Sequence, residues 1–232
     1  MITLICPTKN RPDLCKRMVE SAYATADGKI GIILGIAEPS IYYADYENIK
    51  GPDKIPAGAL PTVATINLIA KRLIEEGTTT LFFVVGDDAV FKTKGWDTAL
   101  LKAYSELENK IHVFGLQDSR DKEGTPHPIA TKEFIQAMGY LLVPIFNHWY
   151  ADTWLSDLTK ANNCFTYLRD YVLEHKKPSD EGVFDSTYKD LRGSGTMERD
   201  KFVSEACAHF LGIEKGRLRD ARTNRLLTGW RS

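Results

Sequence analysis

Apolar runs and helical stripes alternate along the first two thirds of the chain, and the alternation predicts a layered α/β fold. Ile2 to Cys6 and Ile30 to Ala37 are short apolar runs, rich in β-branched residues, of the kind that fill a buried strand. Leu81 to Val85 is a third such run, stopped by Gly86. Between the first two, Leu14, Met18, Val19 and Ala22 keep helical spacing after a turn in which Asp13 is placed to cap. Val63, Ile66, Ile69, Ala70 and Leu73 do the same in a helix opened by Pro61-Thr62 and closed by Gly77. The Pro-, Gly- and Tyr-rich stretch before Leu60 reads as a loop.

Downstream the pattern predicts a helix from Trp96 to Leu107, a strand from Ile111 to Gly115 and a polar loop to Pro128. A short helix over Thr131 to Ala137, a strand over Tyr140 to Pro144 and a helix over Asp152 to Ala161 follow. Phe165 to Glu174 alternates loosely, as one strand or two, and Lys176 to Gly195 is polar enough to read as a long loop. Met197 to Leu211 is one more helix. Strands alternating with helices imply one domain with a Rossmann-like, mostly parallel central sheet flanked by helices. On this division residues 1–175 form the α/β unit and residues 176–232 a C-terminal helical and irregular extension with a basic tail.

Composition narrows the class only by exclusion. The chain has 232 residues, 43% hydrophobic and 26% charged, which are ordinary globular values. A formal net charge of −1 supplies no global field for anionic partners. The cysteines Cys6, Cys15, Cys164 and Cys207 are scattered without a C-x-x-C pair, which speaks against a zinc knuckle or disulfide framework and fits a reducing cytosol. No apolar run approaches the roughly 18 residues of a membrane span, and no signal peptide is expected before the first strand. Cytoplasm is the expected location. The absence of G-x-G-x-x-G and G-x-x-x-x-G-K loops counts against dinucleotide oxidoreductases and P-loop enzymes.

The candidate chemistry lies at Gly86-Asp87-Asp88. Carboxylates at the carboxyl end of a buried strand stand where open α/β sheets bind ligands. Two adjacent anions call for a positive partner, and hard oxygen ligands suit Mg²⁺ or Mn²⁺ carrying a phosphate. A solvated acidic turn is the plain alternative.

The loop after the first strand, Pro7-Thr8-Lys9-Asn10-Arg11-Pro12, resembles the nucleotide-sugar loop of family 2 glycosyltransferases of the GT-A fold, and Gly86-Asp87-Asp88 resembles their D-x-D metal motif. Gly86 departs from that motif at its first acidic position, so the resemblance gives the metal-binding role to Asp87 and Asp88, with Asp88 matching the last aspartate. It implies a GT-A-like domain over roughly residues 1 to 175, binding a nucleotide diphosphate sugar through Pro7, Thr8, Asn10, Arg11, Glu38 and Asp87. It further implies Mn²⁺ or Mg²⁺ on Asp88 and a histidine after the last core strand, His175, with His148 as competitor. Asp152, at the start of a helix, takes the position of the general base of an inverting transfer, with a helix cap as its plain alternative. Trp96 and Asp97 are candidates for the neighbourhood of the sugar or acceptor, and His127 for the acceptor side. His112 and His209 read as structural or surface residues.

The acceptor is the least determined part. The tail carries Lys215, Arg217, Arg219, Arg222, Arg225 and Arg231, a pattern that suits either a solvated surface or contact with nucleic-acid phosphates. The compact layout and the Gly-Asp-Asp variant are also similar to glycosyltransferases of bacteriophages, some of which decorate modified bases in DNA, and a phage enzyme would work in the host cytoplasm. A saccharide acceptor competes with DNA. A sugar-phosphate nucleotidyltransferase is a second class, although Pro7 to Pro12 lacks the glycines such enzymes use to cradle a triphosphate, and a degenerate binding module that has lost its metal is a third.

Overall fold

A computed structural model describes residues 1–38, 40, 42–119, 126–176, 187, 189 and 193–228. In chain order the elements are β1 (Ile2–Thr8), α1 (Pro12–Thr25), β2 (Ile30–Ala37), α2 (Tyr43–Glu47), β3 (Asp53–Gly58), α3 (Thr62–Glu76) and β4 (Leu81–Val84). There follow β5 (Ala89–Phe91), α4 (Trp96–Glu106), β6 (Val113–Asp118), β7 (Ile129–Thr131), α5 (Lys132–Met138), α6 (Ala151–Lys160) and β8 (Phe165–His175). Two further helices, α7 (Thr196–Ala206) and α8 (Ala208–Thr228), complete the described chain.

The strands form one eight-stranded sheet in the order β3-β2-β1-β4-β7-β6-β8-β5. The first four are mutually parallel, and β6 and β8 are parallel to each other. Strand β7 runs against both β4 and β6, and β5 runs against β8. Alternate side chains of each strand feed one of two cores, as the period of two requires. Ile5, Ile33, Phe82 and Val84 pack with α3, α5, α6 and Leu218 of α8 on one face. Leu4, Cys6, Ile32, Leu34, Phe83 and Val85 pack with α1 and α4 on the other. The C-terminal helix is therefore docked, since Leu218 is fully buried.

The structure departs from the sequence expectations in three places. The stretch read as a loop holds α2 and β3. Helix α2 has only 5 residues, too few for a periodic signal, and β3 carries Pro56, which an edge strand tolerates. The stretch Tyr140 to Pro144 is buried over Leu141 to Val143 but is not a strand. Its backbone is satisfied by a side chain instead: Asn67 Oδ1 accepts the amides of Leu141 and Leu142 at 3.0 Å, and Asn67 Nδ2 donates to the Leu142 carbonyl at 2.7 Å. The helix expected over Met197 to Leu211 is two helices with a break at Cys207. Most of the long polar loop expected from Lys176 to Gly195 lies outside the described residues, as does Arg231. No helix among the described residues is long and apolar enough to cross a membrane.

Candidate functional site

Strands β1 and β4 are neighbours in the sheet, with Ile5 opposite Val84, so the loops leaving them emerge side by side. That pairing brings the Pro7-to-Pro12 turn against Asp87. Thr8 donates its hydroxyl to Asp87 Oδ2 at 2.8 Å, and Arg11 Nη1 lies 3.2 Å from Asp87 Oδ1. The positive partner that the acidic pair calls for is thus Arg11, reached across the sheet. Burial pushes the Asp87 carboxyl up to about 6, against the opposing charge of Arg11. Tyr46 of α2, fully buried, holds the same turn: its hydroxyl lies 2.9 Å from Thr8 Oγ1 and accepts the Arg11 amide at 2.8 Å. Burial raises the Tyr46 phenol well above its ordinary range.

Asp88 is placed by a different pairing. The antiparallel register of β5 and β8 sets Ala89 opposite His175, and the Lys176 amide donates to the Asp88 carbonyl at 2.9 Å. His175 Nε2 is consequently 3.3 Å from Asp88 Oδ1. Burial works against the Asp88 charge, yet the His175 hydrogen bond and the charges of His175, His127 and Arg11 outweigh it and hold the carboxyl at about 2. Gly86 is closely approached by the side chains around it. A Cβ on it would lie 2.8 Å from Asp88 Oδ1 and 3.2 Å from His127 Cε1.

The opposite wall is built by the segment before α6. His148 Nδ1 lies 2.8 Å from Thr62 Oγ1, and burial lowers the imidazole's affinity for a proton. Asp152 stands in the first turn of α6 with Oδ1 accepting the Thr153 amide at 2.9 Å. Fully buried Asp200, from α7, holds this wall through backbone amides: Asn147 at 3.1 Å, His148 at 2.8 Å and Trp149 at 3.0 Å all donate to its carboxylate.

Between the walls lies a cavity of about 680 Å³, lined by Pro7, Thr8, Arg11, Glu38, Asp87, Asp88, His127, His148, Asp152 and His175, among others. It brings together the site residues expected from sequence except Asn10, Trp96 and Asp97; Asn10 does not line it and instead bends the loop with φ at 56°. Trp96 and Asp97 belong elsewhere. Trp96 packs against Phe83 and Phe91 in the core, and Asp97 accepts the Asp27 and Gly28 amides at 2.9 and 2.8 Å. His112 is buried and lies 2.8 Å from Thr166 Oγ1, and His209 is exposed, as expected of structural and surface residues. Sequence reading missed Tyr46, Asp118 and Asp200, none of which sits in a motif.

No family model matches the chain, and no curated protein does. Solved structures do. Staphylococcus aureus TarS in complex with UDP superposes with a TM-score of 0.55 at 13% identity, over 78% of this chain and 62% of that one. The mannosyltransferase PcManGT from Pyrobaculum calidifontis, in complex with GDP-Man and Mn²⁺, gives 0.55 at 12% identity over 99% of this chain and 76% of that one. Glucosyl-3-phosphoglycerate synthase from Mycobacterium tuberculosis, with Mn²⁺, UDP and phosphoglyceric acid, gives 0.54 at 10% identity over 78% and 72%. The fold is GT-A-like. This chain spans under two thirds of the length of the TarS chain, and at these identities the likeness concerns the fold alone.

The GT-A-like chain also has donors that suit a divalent ion. Asp88 Oδ1 and His175 Nε2 converge at the cavity wall, and a carboxylate with an imidazole suits Mn²⁺ better than the harder Mg²⁺. Behind them, Asp118, His127 and His175 present one ligand atom each within 4.8 Å of one another.

Proposed function

We propose that the chain is a metal-dependent glycosyltransferase, moving a sugar from a nucleotide diphosphate sugar to an acceptor hydroxyl with inversion at the anomeric carbon. The observation that carries this reading is one cavity with Thr8, Arg11, Asp87, Asp88 and His175 on one wall and Asp152 on the other. Pro7, Thr8, Arg11 and Glu38 border the nucleotide side. Asp88 and His175 would hold Mn²⁺ or Mg²⁺, whose contribution is Lewis-acid stabilisation of the charge on the departing diphosphate.

Asp152 receives the proton of the acceptor hydroxyl as that oxygen bonds to the anomeric carbon and the carbon–diphosphate bond breaks. A base of this kind is worth about 10²–10⁴-fold in rate. The pre-ordering of Asp87 by Thr8 and Arg11 supports donor binding over a merely solvated acidic turn, because both partners come from the distant first loop.

The acceptor is read as a hydroxylated saccharide or a modified base in phage DNA. For DNA the support is the basic tail, and part of that tail is engaged within the protein. Arg222 donates from Nη1 to the Ile111 carbonyl and from Nη2 to the Asn163 carbonyl, and Arg217 Nη1 lies 3.7 Å from Glu214. Lys215 and Arg219 remain as candidates among the described side chains.

Thermal-shift titration with UDP, GDP and their sugar conjugates, each with and without Mn²⁺, tests the donor half of the reading. A ligand at about 100 times its dissociation constant stabilises the folded state by about 2.7 kcal/mol. A Mn²⁺-dependent rise in melting temperature with one nucleotide series is expected. Triphosphates with a sugar phosphate stabilising the chain, and diphosphates not, would favour the nucleotidyltransferase class instead.

A further inference from the structure

Asp118 closes strand β6 and is buried to 2% exposure, behind the two groups that face the cavity. Its Oδ2 lies 3.5 Å from His175 Nδ1 and 3.7 Å from His127 Nε2. Both imidazoles are oriented from their far sides. The Gly86 amide donates to His127 Nδ1 at 3.2 Å, which fixes that nitrogen as an acceptor and leaves the His127 proton on Nε2, facing Asp118. His175 lies between two carboxylates instead, with Nε2 at 3.3 Å from Asp88 and Nδ1 at 3.5 Å from Asp118.

The strand register produces this arrangement. Asp118 pairs with Leu173 in the parallel β6–β8 ladder, and His175 takes a second tie when its amide donates to Ser119 Oγ at 3.0 Å. His127 arrives from the adjacent side, where Val84 donates to the Pro128 carbonyl at 2.9 Å just before β7.

We infer that Asp118 is a positioning residue, an outer carboxylate that accepts the Nδ1–H of His175 once a divalent ion replaces the proton that His175 Nε2 shares with Asp88 in the metal-free chain. His127 Nε2 faces the same carboxylate oxygen from 3.7 Å, an electrostatic contact too long for a hydrogen bond. The inference rests on the reading of Asp88 and His175 as metal ligands and adds what holds one of them in register. A ligating histidine generally gives its other N–H to such a carboxylate, which sets the tautomer and raises the basicity of the ligating nitrogen. Placing Asp118 in the ligand set itself is less favoured. That would require His175 to turn its Nδ1 to the ion, which abandons Asp88 and the cavity wall.

The test is Mn²⁺ binding to the full chain, with the metal alone as probe, read by the signal of free Mn²⁺. Asp118→Asn should weaken Mn²⁺ by about 10–100-fold while one ion still binds at saturation. His127→Gln should weaken it less, and Asp88→Ala should abolish it. With diamagnetic Zn²⁺ in the site, nitrogen NMR should find the wild-type His175 proton on Nδ1, and a mixed population in Asp118→Asn. Unchanged Mn²⁺ affinity and an unchanged His175 tautomer in folded Asp118→Asn would overturn the inference while leaving the metal reading intact. Loss of all binding in Asp118→Asn, with Asp88→Ala still binding, would make Asp118 a direct ligand and overturn it as well. Wild-type protein that binds no Mn²⁺ would overturn the metal reading and the inference together.

Discussion

The carboxylate of Asp200 accepts the backbone amide of His148 at 2.8 Å, joining a C-terminal helix to the wall of the cavity that faces the acidic pair. Neighbouring amides of Asn147 and Trp149 point to the same carboxylate, and Arg199 pairs with it from the adjacent position. The C-terminal helices thereby organise a wall whose chemistry comes from the segment before α6. Asp200→Ala would leave three half-buried amides without their acceptor, where a fully buried donor costs about 1–3 kcal/mol. Urea unfolding should show a clearly lowered midpoint for Asp200→Ala and a smaller loss for Asp200→Asn, which keeps an acceptor oxygen. A wild-type midpoint for Asp200→Ala would show that the wall is held by other contacts.

Gly86 should resist restoration of the D-x-D pattern. A Cβ there would sit 2.8 Å from Asp88 Oδ1, so the carboxylate must move away from His175. Gly86→Ala and Gly86→Asp are both expected to weaken Mn²⁺-dependent nucleotide binding at least about tenfold, the scale of a misplaced metal ligand. Calorimetry of nucleoside diphosphate with Mn²⁺ measures this. Tighter binding in Gly86→Asp would mean that the loop yields and the departure from the pattern is not steric.

Asp152→Asn should retain donor affinity and lose at least about 10²-fold in turnover, the usual scale for a lost general base. The amide keeps the size of the side chain and an oxygen for the Thr153 amide, so α6 should still start where it does. Steady-state rates with a competent acceptor, together with donor titration, separate the two effects. Near wild-type turnover would leave Asp152 as a helix-start residue only.

Periodicity made the parallel half legible. The continuous apolar runs of β1, β2 and β4 must be buried on both faces, and the stripes of α1 and α3 must bury one, so each had one reading. The same rule misreads Leu141 to Val143: burial was visible there, but the partner was Asn67 rather than a strand. Loop chemistry was legible where residues of one site are adjacent in sequence, as in Pro7 to Arg11 and Asp87-Asp88. Asp118 and Asp200 were not, since each also acts on a residue more than fifty positions away, His175 and His148, and only strand register or helix docking reveals it.

His112 provides a pH signature of folding. Burial, with the nearby Arg222 charge, pushes its imidazole down to about 4, while in an unfolded chain it titrates near about 6.5. Between those values the unfolded state binds the extra proton. The stability contributed by the neutral ring is therefore complete above about pH 6.5 and is lost as pH falls toward about 4. His148, also lowered by burial, acts in the same direction. Urea midpoints at about pH 7 and about pH 5 should differ less for His112→Gln than for the wild type. Equal differences would show that folding does not sense the protonation of His112.

Salt dependence decides the nucleic-acid acceptor. If the C-terminal helix contacts DNA, the slope of log affinity against log salt is about −0.9 per neutralised duplex phosphate, or about −0.7 on a single strand. Arg222 should not be counted in that slope, because its guanidinium reaches the Ile111 and Asn163 carbonyls. Arg222→Gln should lower stability with little effect on any DNA slope, whereas Lys215→Gln with Arg219→Gln should flatten the slope and leave stability near that of the wild type. Donor binding should be unchanged in the double variant, because the nucleotide side of the cavity is built by β1, β2 and β4. The measurement is a salt titration of DNA binding beginning at about 50 mM, run beside a urea titration of the same proteins. Absence of DNA affinity at the lowest salt, in protein that transfers sugar to a saccharide, would end the nucleic-acid reading and leave the basic face as solvated surface.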